Sequence, residues 1–231
     1  MNEKVGCWAI IPAAGIGQRS GSNIPKQYIQ ISGKTILEHA LTPFLDNPRI
    51  KAIVIVLNKD DSHFSDLDIH STKEIHTVIG GDSRTQSVFN ALLEIKPRIT
   101  NDEYVLVHDA ARPCLSNNDL DKLMDAAFSN EAGCILGAPM VDTVKKVDND
   151  RIVKTMDRSN LWRAYTPQMF RYELLLNALS DCINKNIPIT DEASAIEVAG
   201  LMPGIVLGQA SNIKVTTADD LMIAEKFLSA E

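Results

Sequence analysis

Short aliphatic runs alternate along this chain with longer stretches whose apolar residues recur every three or four positions. Trp8–Ile11, Ile53–Leu57, Thr77–Ile79, Tyr104–Val107 and Cys134–Leu136 are runs of the first kind, each ended by turn-forming or polar residues. Runs without a polar face predict strands buried on both sides. Thr35–Leu45, Arg84–Ile95, Asn118–Phe128, Arg171–Asn184 and Ala218–Leu228 carry helical spacing. The alternation predicts an α/β fold: a mostly parallel sheet with helices on both faces.

One segment departs from this rhythm. Thr143–Val147 and Arg151–Met156 alternate polar and apolar residues around Asp148-Asn149-Asp150, which predicts a β-hairpin. An inserted hairpin is either an arm that packs elsewhere or an antiparallel extension of the main sheet, and the pattern does not separate the two. The expected organisation is one domain over residues 1–231, with an arm at about 139–160. Thr190 reads as the N-cap of a further helix opening at Asp191 and Glu192. Asn212–Thr216 reads as a late apolar strand with Lys214 inside it, where a lysine needs an anionic partner.

In sheets of this kind ligands bind beyond the carboxyl ends of the strands. Four loops fall there: Pro12–Arg19, Gly80–Arg84, His108–Pro113 and Pro139–Thr143. The first is the most informative. Small residues Ala13, Ala14, Gly15 and Gly17 follow a buried run, with Arg19 and Lys26 just beyond. Exposed amides in such a loop, with converging cations, suit a polyphosphate. Neither common phosphate motif fits. No lysine follows Ser20, as a P-loop demands, and Ser20 also stands where a dinucleotide fingerprint needs its third glycine. Gly15-x-Gly17 alone is met by any strand-to-helix turn; the two cations tip the reading toward an anion site.

The other motifs are weaker singly. In Gly80-Gly81-Asp82-Ser83-Arg84 the glycines either make a turn capped by Asp82 or Ser83, or let a planar base approach, with Ser87 adding a hydroxyl. In His108-Asp109-Ala110-Ala111-Arg112-Pro113 a carboxylate sits at a strand end, a common place for a ribose or metal contact; a local Asp109–Arg112 ion pair is the plainer account. His108 reads as a structural residue, and His39, His63, His70 and His76 show no ligand spacing. Covalent catalysis and zinc hydrolysis find no motif.

Composition narrows the class. The 231 residues are 45% hydrophobic and 23% charged, ordinary for a globular protein, and long enough for a sizeable core. A net charge of −7 without a basic stretch argues against nucleic acid as a partner. Four scattered cysteines, with no C-x-x-C, read as reduced thiols. No apolar run approaches the length that spans a membrane. A cytoplasmic protein without membrane contact is expected.

Taken together the motifs resemble the sugar-nucleotidyltransferase superfamily and, within it, the 2-C-methyl-D-erythritol 4-phosphate cytidylyltransferases of the non-mevalonate isoprenoid pathway. PAAGIGQR, PKQY, GGDSR, VHDAARP, APMVDTVK, DRSNLWRAYTPQ, TDEASAIE and NIKVTT carry the resemblance in order over almost the whole chain. It implies a Rossmann-like fold and transfer of a cytidylyl group from CTP to a methylerythritol phosphate, with release of pyrophosphate. It implies that Arg19, Lys26 and Lys214 are catalytic, and that Ala13, Ala14, Gly15 and Gly17 join them around the triphosphate. Gly81, Asp82 and Ser87 would meet the cytosine and ribose. Asp109, Ala110, Arg112, Thr166 and Thr190 would line the substrate side, with Thr143 and Arg158 reaching the neighbouring subunit of a homodimer. Mg²⁺, or another divalent cation, would sit mainly on phosphate oxygens, with no metal-ligating residue. Three readings compete: a ribitol 5-phosphate cytidylyltransferase, a nicotinamide-dependent oxidoreductase lacking its third glycine, and a nucleotide sensor, which needs no three converging cations.

Overall fold

A computed structural model describes residues 6–15 and 24–229. The predicted runs become β1 (Cys7–Pro12), β4 (Ile50–Leu57), β5 (Glu74–Ile79), β6 (Tyr104–Val107) and β7 (Cys134–Pro139); β5, expected to be buried on both sides, is instead a half-exposed edge strand. A two-stranded ribbon, β2 (Gln30–Ile31) with β3 (Lys34–Thr35), follows the first loop. The strands β10 (Trp162–Arg171) and β11 (Gly204–Leu207) were not expected from the pattern. The seven-stranded sheet runs β11-β7-β10-β6-β1-β4-β5. Only β10 is antiparallel to its neighbours. Pro167 hides β10 in the sequence, because proline cannot join a hydrogen-bond ladder. The strand tolerates it at an irregularity: pairing with β7 stops at Ala164 and resumes at Gln168.

The helices are α1 (Ile36–Asp46), α2 (Arg84–Ile95), α3 (Asn117–Phe128), α4 (Tyr172–Asn184), α5 (Glu192–Val198) and α6 (Ala218–Leu228). Caps set their starts: Thr35, Ser83, Ser116, Asp191 and Thr217 each accept a backbone N–H from the first turn. Thus Ser83, rather than Asp82, caps α2, and Asp191 rather than Thr190 caps α5. The alternation along β1 explains the two layers. Cys7, Ala9 and Ile11 pack with Leu37, Leu41 and Phe44 of α1 and Leu120 and Leu123 of α3. Trp8 and Ile10 pack on the other face with Val88 and Leu92 of α2 and Leu175 and Leu179 of α4. Both sides of the strand are therefore core, as its polar-free sequence requires.

The late strand needs correction, while the hairpin does not. Asn212–Thr216 forms no strand; the segment is loop, tied to the His108–Pro113 loop by a bond from Val215 N–H to the Ala111 carbonyl, 2.8 Å. The expected hairpin is present, β8 (Lys145–Asp148) with β9 (Arg151–Thr155), and of the two arrangements left open it takes the first: it is a separate two-stranded sheet, not an extension of the main one. Its turn residues Asn149 and Asp150 have φ of 45° and 60°. That left-handed pair makes the tight turn suited to a twisted hairpin, and Asn and Asp tolerate it best after glycine.

Candidate functional site

Three of the four loops meet at the carboxyl edge of the sheet, around a cavity of about 480 Å³, within the usual range for a small-molecule site. Ala13, Ala14 and Gly15 form one wall. Ala13 N–H donates to the Val56 carbonyl (2.8 Å), so β4 fixes the start of the loop. Gln27, buried, donates through Nε2 to the carbonyls of Ala13 (2.6 Å) and Gly15 (3.1 Å). Asn58 Nδ2 reaches the Ala14 carbonyl at 3.3 Å. With their carbonyls engaged from behind, these peptides are held as a fixed frame. Gly17 and Arg19 lie outside the described residues.

Lys26 opens a single helical turn, Lys26–Tyr28, and lines the cavity. Its ammonium donates to the Val215 carbonyl at 3.3 Å. That contact joins the Lys26–Tyr28 turn to the segment carrying Lys214, which lines the same cavity. The two lysines, far apart in sequence, therefore face one space.

Gly81, Asp82 and Ser87 line the opposite wall. Gly81 N–H donates to Ser87 Oγ (3.1 Å), tying the loop to the first turn of α2. Glycine is required here by space. A Cβ on Gly80 would come within 2.6 Å of the Ala14 Cβ, and one on Gly81 within 2.3 Å of Gln86 Cγ.

Asp109 and Ala110 form the floor. Asp109 is the electrostatic centre. Its Oδ1 accepts from Arg84 Nε at 2.9 Å, and its Oδ2 pairs with Lys214 Nζ at 2.8 Å, with Arg112 Nε at 3.7 Å. The Asp109–Arg112 pair exists, but is the longest of the three. Burial alone would raise the Asp109 carboxyl; the charges of Arg84 and Lys214, the Lys214 hydrogen bond and Arg112 override it and hold it well below the usual carboxylate range. Arg84 in turn grips Glu192 end-on, Nη1 to Oε1 at 2.6 Å and Nη2 to Oε2 at 3.1 Å. Burial alone would lower the Arg84 guanidinium; Glu192 and Asp109 raise it instead.

Thr166 and Arg112 lie behind this floor and do not line the cavity. The Asp109 N–H donates to Thr166 Oγ1 at 3.0 Å, and Arg112 Nη1 donates to the Asn212 carbonyl at 2.8 Å. The Thr166 hydroxyl also lies 3.1 Å from His108 Nδ1. Having accepted from Asp109, it donates to Nδ1. The His108 proton therefore sits on Nε2, which faces the Arg112 carbonyl at 3.1 Å. Burial pushes this imidazole down from 6.5 to about 4, against the raising effects of the Arg112 carbonyl and Asp109. Both nitrogens are engaged and the ring is 0% exposed, so His108 is a structural residue, not a base.

A stability effect follows. Between about pH 6.5 and 4 the unfolded chain binds this proton and the folded one does not, so stability falls as pH falls through that window. His108 should contribute a loss of about 2 kcal/mol between pH 7 and 5. Imidazole resonances followed by NMR, alongside denaturant unfolding, check this. An imidazole titrating near 6.5 in the folded protein would contradict it.

Thr143, Arg158 and Thr190 are not brought to the cavity. Thr143 and Arg158 are exposed beside the hairpin, where Arg158 Nη1 donates to the Val141 carbonyl. Thr190 is exposed and its N–H donates to Ser194 Oγ at 3.1 Å. The reading of the sequence missed Gln27, Asn58, Arg84 and Glu192. PKQY and GGDSR contain Gln27 and Arg84, but their partners lie at distances in sequence that no local pattern encodes.

The family model for 2-C-methyl-D-erythritol 4-phosphate cytidylyltransferase matches residues 7–230. A protein of that name from Pseudomonas syringae pv. tomato is 50% identical over 216 residues, 93% of this chain and 92% of that one. One from Haemophilus ducreyi is 46% identical over 228 residues, 99% of this chain and 97% of that one. Among solved structures, the Francisella tularensis protein of the same name superposes with a TM-score of 0.84 at 40% identity, covering 96% of this chain and 99% of that one.

Proposed function

The chain belongs to the 2-C-methyl-D-erythritol 4-phosphate cytidylyltransferase family, and on that premise we propose how its cavity moves the cytidylyl group of CTP onto 2-C-methyl-D-erythritol 4-phosphate in isoprenoid biosynthesis. The observation that carries the proposal is the contact of Lys26 with the Lys214 segment across the small-residue loop. It sets two cations where a triphosphate entering along Ala13–Gly15 would lie.

A phosphate oxygen of the polyol phosphate attacks the α-phosphorus of CTP. The bond from that phosphorus to the bridging oxygen breaks, and pyrophosphate leaves with the electron pair. The attacking oxygen is already ionised near pH 7, so no general base is called for, which agrees with a neutral, fully engaged His108. Positioning and cancellation of the growing negative charge do the catalysis. Lys26 and Lys214, with Arg19, supply that charge; Gly81, Asp82 and Ser87 hold the base and ribose. Asp109 and Ala110 receive the polyol end, backed by Thr166 and Arg112.

Mg²⁺ keeps several waters and takes substrate phosphates with one or two carboxylates. Asp82 and Asp109 line the cavity, but both Asp109 oxygens already meet cations. Among the described residues no group of three or more His, Cys, Asp or Glu is placed to hold a metal. The donor set therefore suits a cation held mainly by phosphate oxygens, where it would neutralise triphosphate charge.

A homodimer is part of the same proposal. All nine hairpin residues are exposed, Val147 at 53%, Ile152 at 65% and Val153 at 58%. A lone two-stranded hairpin is marginal in water and needs a surface to cover its apolar side chains. A second copy of the chain provides one, and carries Thr143 and Arg158 to that copy's cavity. The four cysteines are buried and none forms a disulfide, which suits a cytoplasmic enzyme; among the described residues no helix is long and apolar enough to cross a membrane.

The deciding experiment is pyrophosphate release from CTP with a panel of polyol phosphates. Methylerythritol phosphate should be the preferred acceptor; preference for ribitol 5-phosphate would overturn the assignment. Base choice is a second test. A site that accepts from the cytosine amine leaves buried polar groups unpaired with uracil, so CTP should outcompete UTP by about 10⁴ in kcat/KM. Equal use of UTP would refute base reading by the Gly81–Asp82 segment.

A further inference from the structure

Glu192 is 1% exposed and does not line the cavity. A buried carboxylate is costly unless a cation compensates it, and Arg84 does so. The geometry of that pair has a consequence at the floor of the site. Glu192 takes the two-pronged end of the guanidinium, through Nη1 and Nη2. On Asp109 the guanidinium makes a single bond, Nε to Oδ1 at 2.9 Å. Oδ2 is thereby left to Lys214, 2.8 Å away.

Glu192 is itself held in place. It is the first residue of α5, whose N-cap Asp191 accepts from Gln168 Nε2 at 2.8 Å. Gln168 Oε1 accepts the Ala193 N–H at 2.9 Å. Gln168 lies two residues beyond Thr166, which holds the Asp109 main chain. So β10 fixes the Asp109 backbone, while α5, through Glu192 and Arg84, fixes its carboxylate.

We propose that Glu192 is a positioning residue for the polyol-phosphate side: by occupying the forked end of Arg84 it confines Arg84 to one Asp109 oxygen and leaves the other facing Lys214 and the substrate. The proposal rests on the cytidylyltransferase reading above, and Glu192 touches no substrate in it. Without this second carboxylate the Arg84 fork is released. It then turns onto Asp109 with two parallel hydrogen bonds, the geometry such pairs favour, and competes with Lys214 for the second oxygen.

Glu192→Gln keeps the shape and removes the charge. At a temperature where the variant is fully folded, KM for the polyol phosphate should rise about tenfold, as small misplacements of an orienting group do. The KM for CTP and kcat should stay within about twofold of wild type, since an orienting loss on one substrate is not shared by the other. A lower melting temperature with both KM values unchanged would overturn the proposal and leave Glu192 merely supporting α5; equal rises in both would overturn it too. Should Glu192→Gln fail to fold, Glu192→Asp keeps the buried charge beside Arg84 and draws the carboxylate back from the fork by one methylene. The same selective rise is expected there, and its absence overturns the proposal. Wild-type enzyme run in parallel separates the two failures: no pyrophosphate from CTP and methylerythritol phosphate sinks the underlying function, and this proposal with it.

Discussion

Lys26→Ala is expected to cut turnover by about 10² to 10³, the loss found when one preorganised electrostatic group is removed from a transition state. The lysine is preorganised by its neighbours. Gln27 is bonded to two carbonyls of the small-residue loop, and the Tyr28 hydroxyl donates to Asp61 Oδ2 at 2.7 Å. The turn therefore stays in place when the ammonium is gone, and the unfolding midpoint should hardly move. CTP affinity should change less than turnover, because on the proposed binding mode the small-residue loop and Lys214 would still meet the triphosphate. Single-turnover rates and CTP binding measured side by side separate the two effects. Near-normal turnover in a folded variant would remove Lys26 from the chemistry.

The strands and helices that bury a continuous apolar stripe were legible in the sequence, and for one reason. Periodicity records which face of an element meets the core: Trp8–Ile11 meets it on both faces, and Arg84–Ile95 along the stripe Val88, Ala91, Leu92 and Ile95. Where another interaction outweighs burial, the pattern fails. Pro167 breaks the ladder that a strand would show, yet β10 lies inside the sheet between β6 and β7. Ile213 and Val215 mimic a strand but cover α6 from a loop, with Val215, Ile36 and Ala224 sharing a small core of their own.

The site divides in the same way. Its backbone-built parts lie close together in sequence, so small residues after a strand announce them. Its charge-built part does not. Arg84 and Glu192 are 108 residues apart, and they meet only because α5 returns to the edge where α2 begins. A lone Glu after an N-cap reads as a helix-dipole residue, which Glu192 also is. Only three-dimensional placement shows that its carboxylate points inward at a guanidinium.

Arg158 is the residue whose loss should equal that of Lys26, although it lies outside its own chain's cavity. A planar guanidinium matches a phosphate with two parallel hydrogen bonds, so an arm reaching the partner's site would clamp the polyol phosphate there. Homodimers of Lys26→Ala and of Arg158→Ala should both be nearly inactive. In a two-fold dimer with crossed arms, each site takes Lys26 from one chain and Arg158 from the other. A mixed dimer then has one site with both defects and one with neither. Random mixing makes half the dimers mixed, so roughly a quarter of all sites should recover. If both residues served the same chain's site, every site would carry one defect and none would recover. Co-refolding the two variants, confirming mixed dimers, and measuring pyrophosphate release decides between these arrangements. Dimers that form without regaining activity would show that the arm, for all its exposed valines and isoleucine, does not cross.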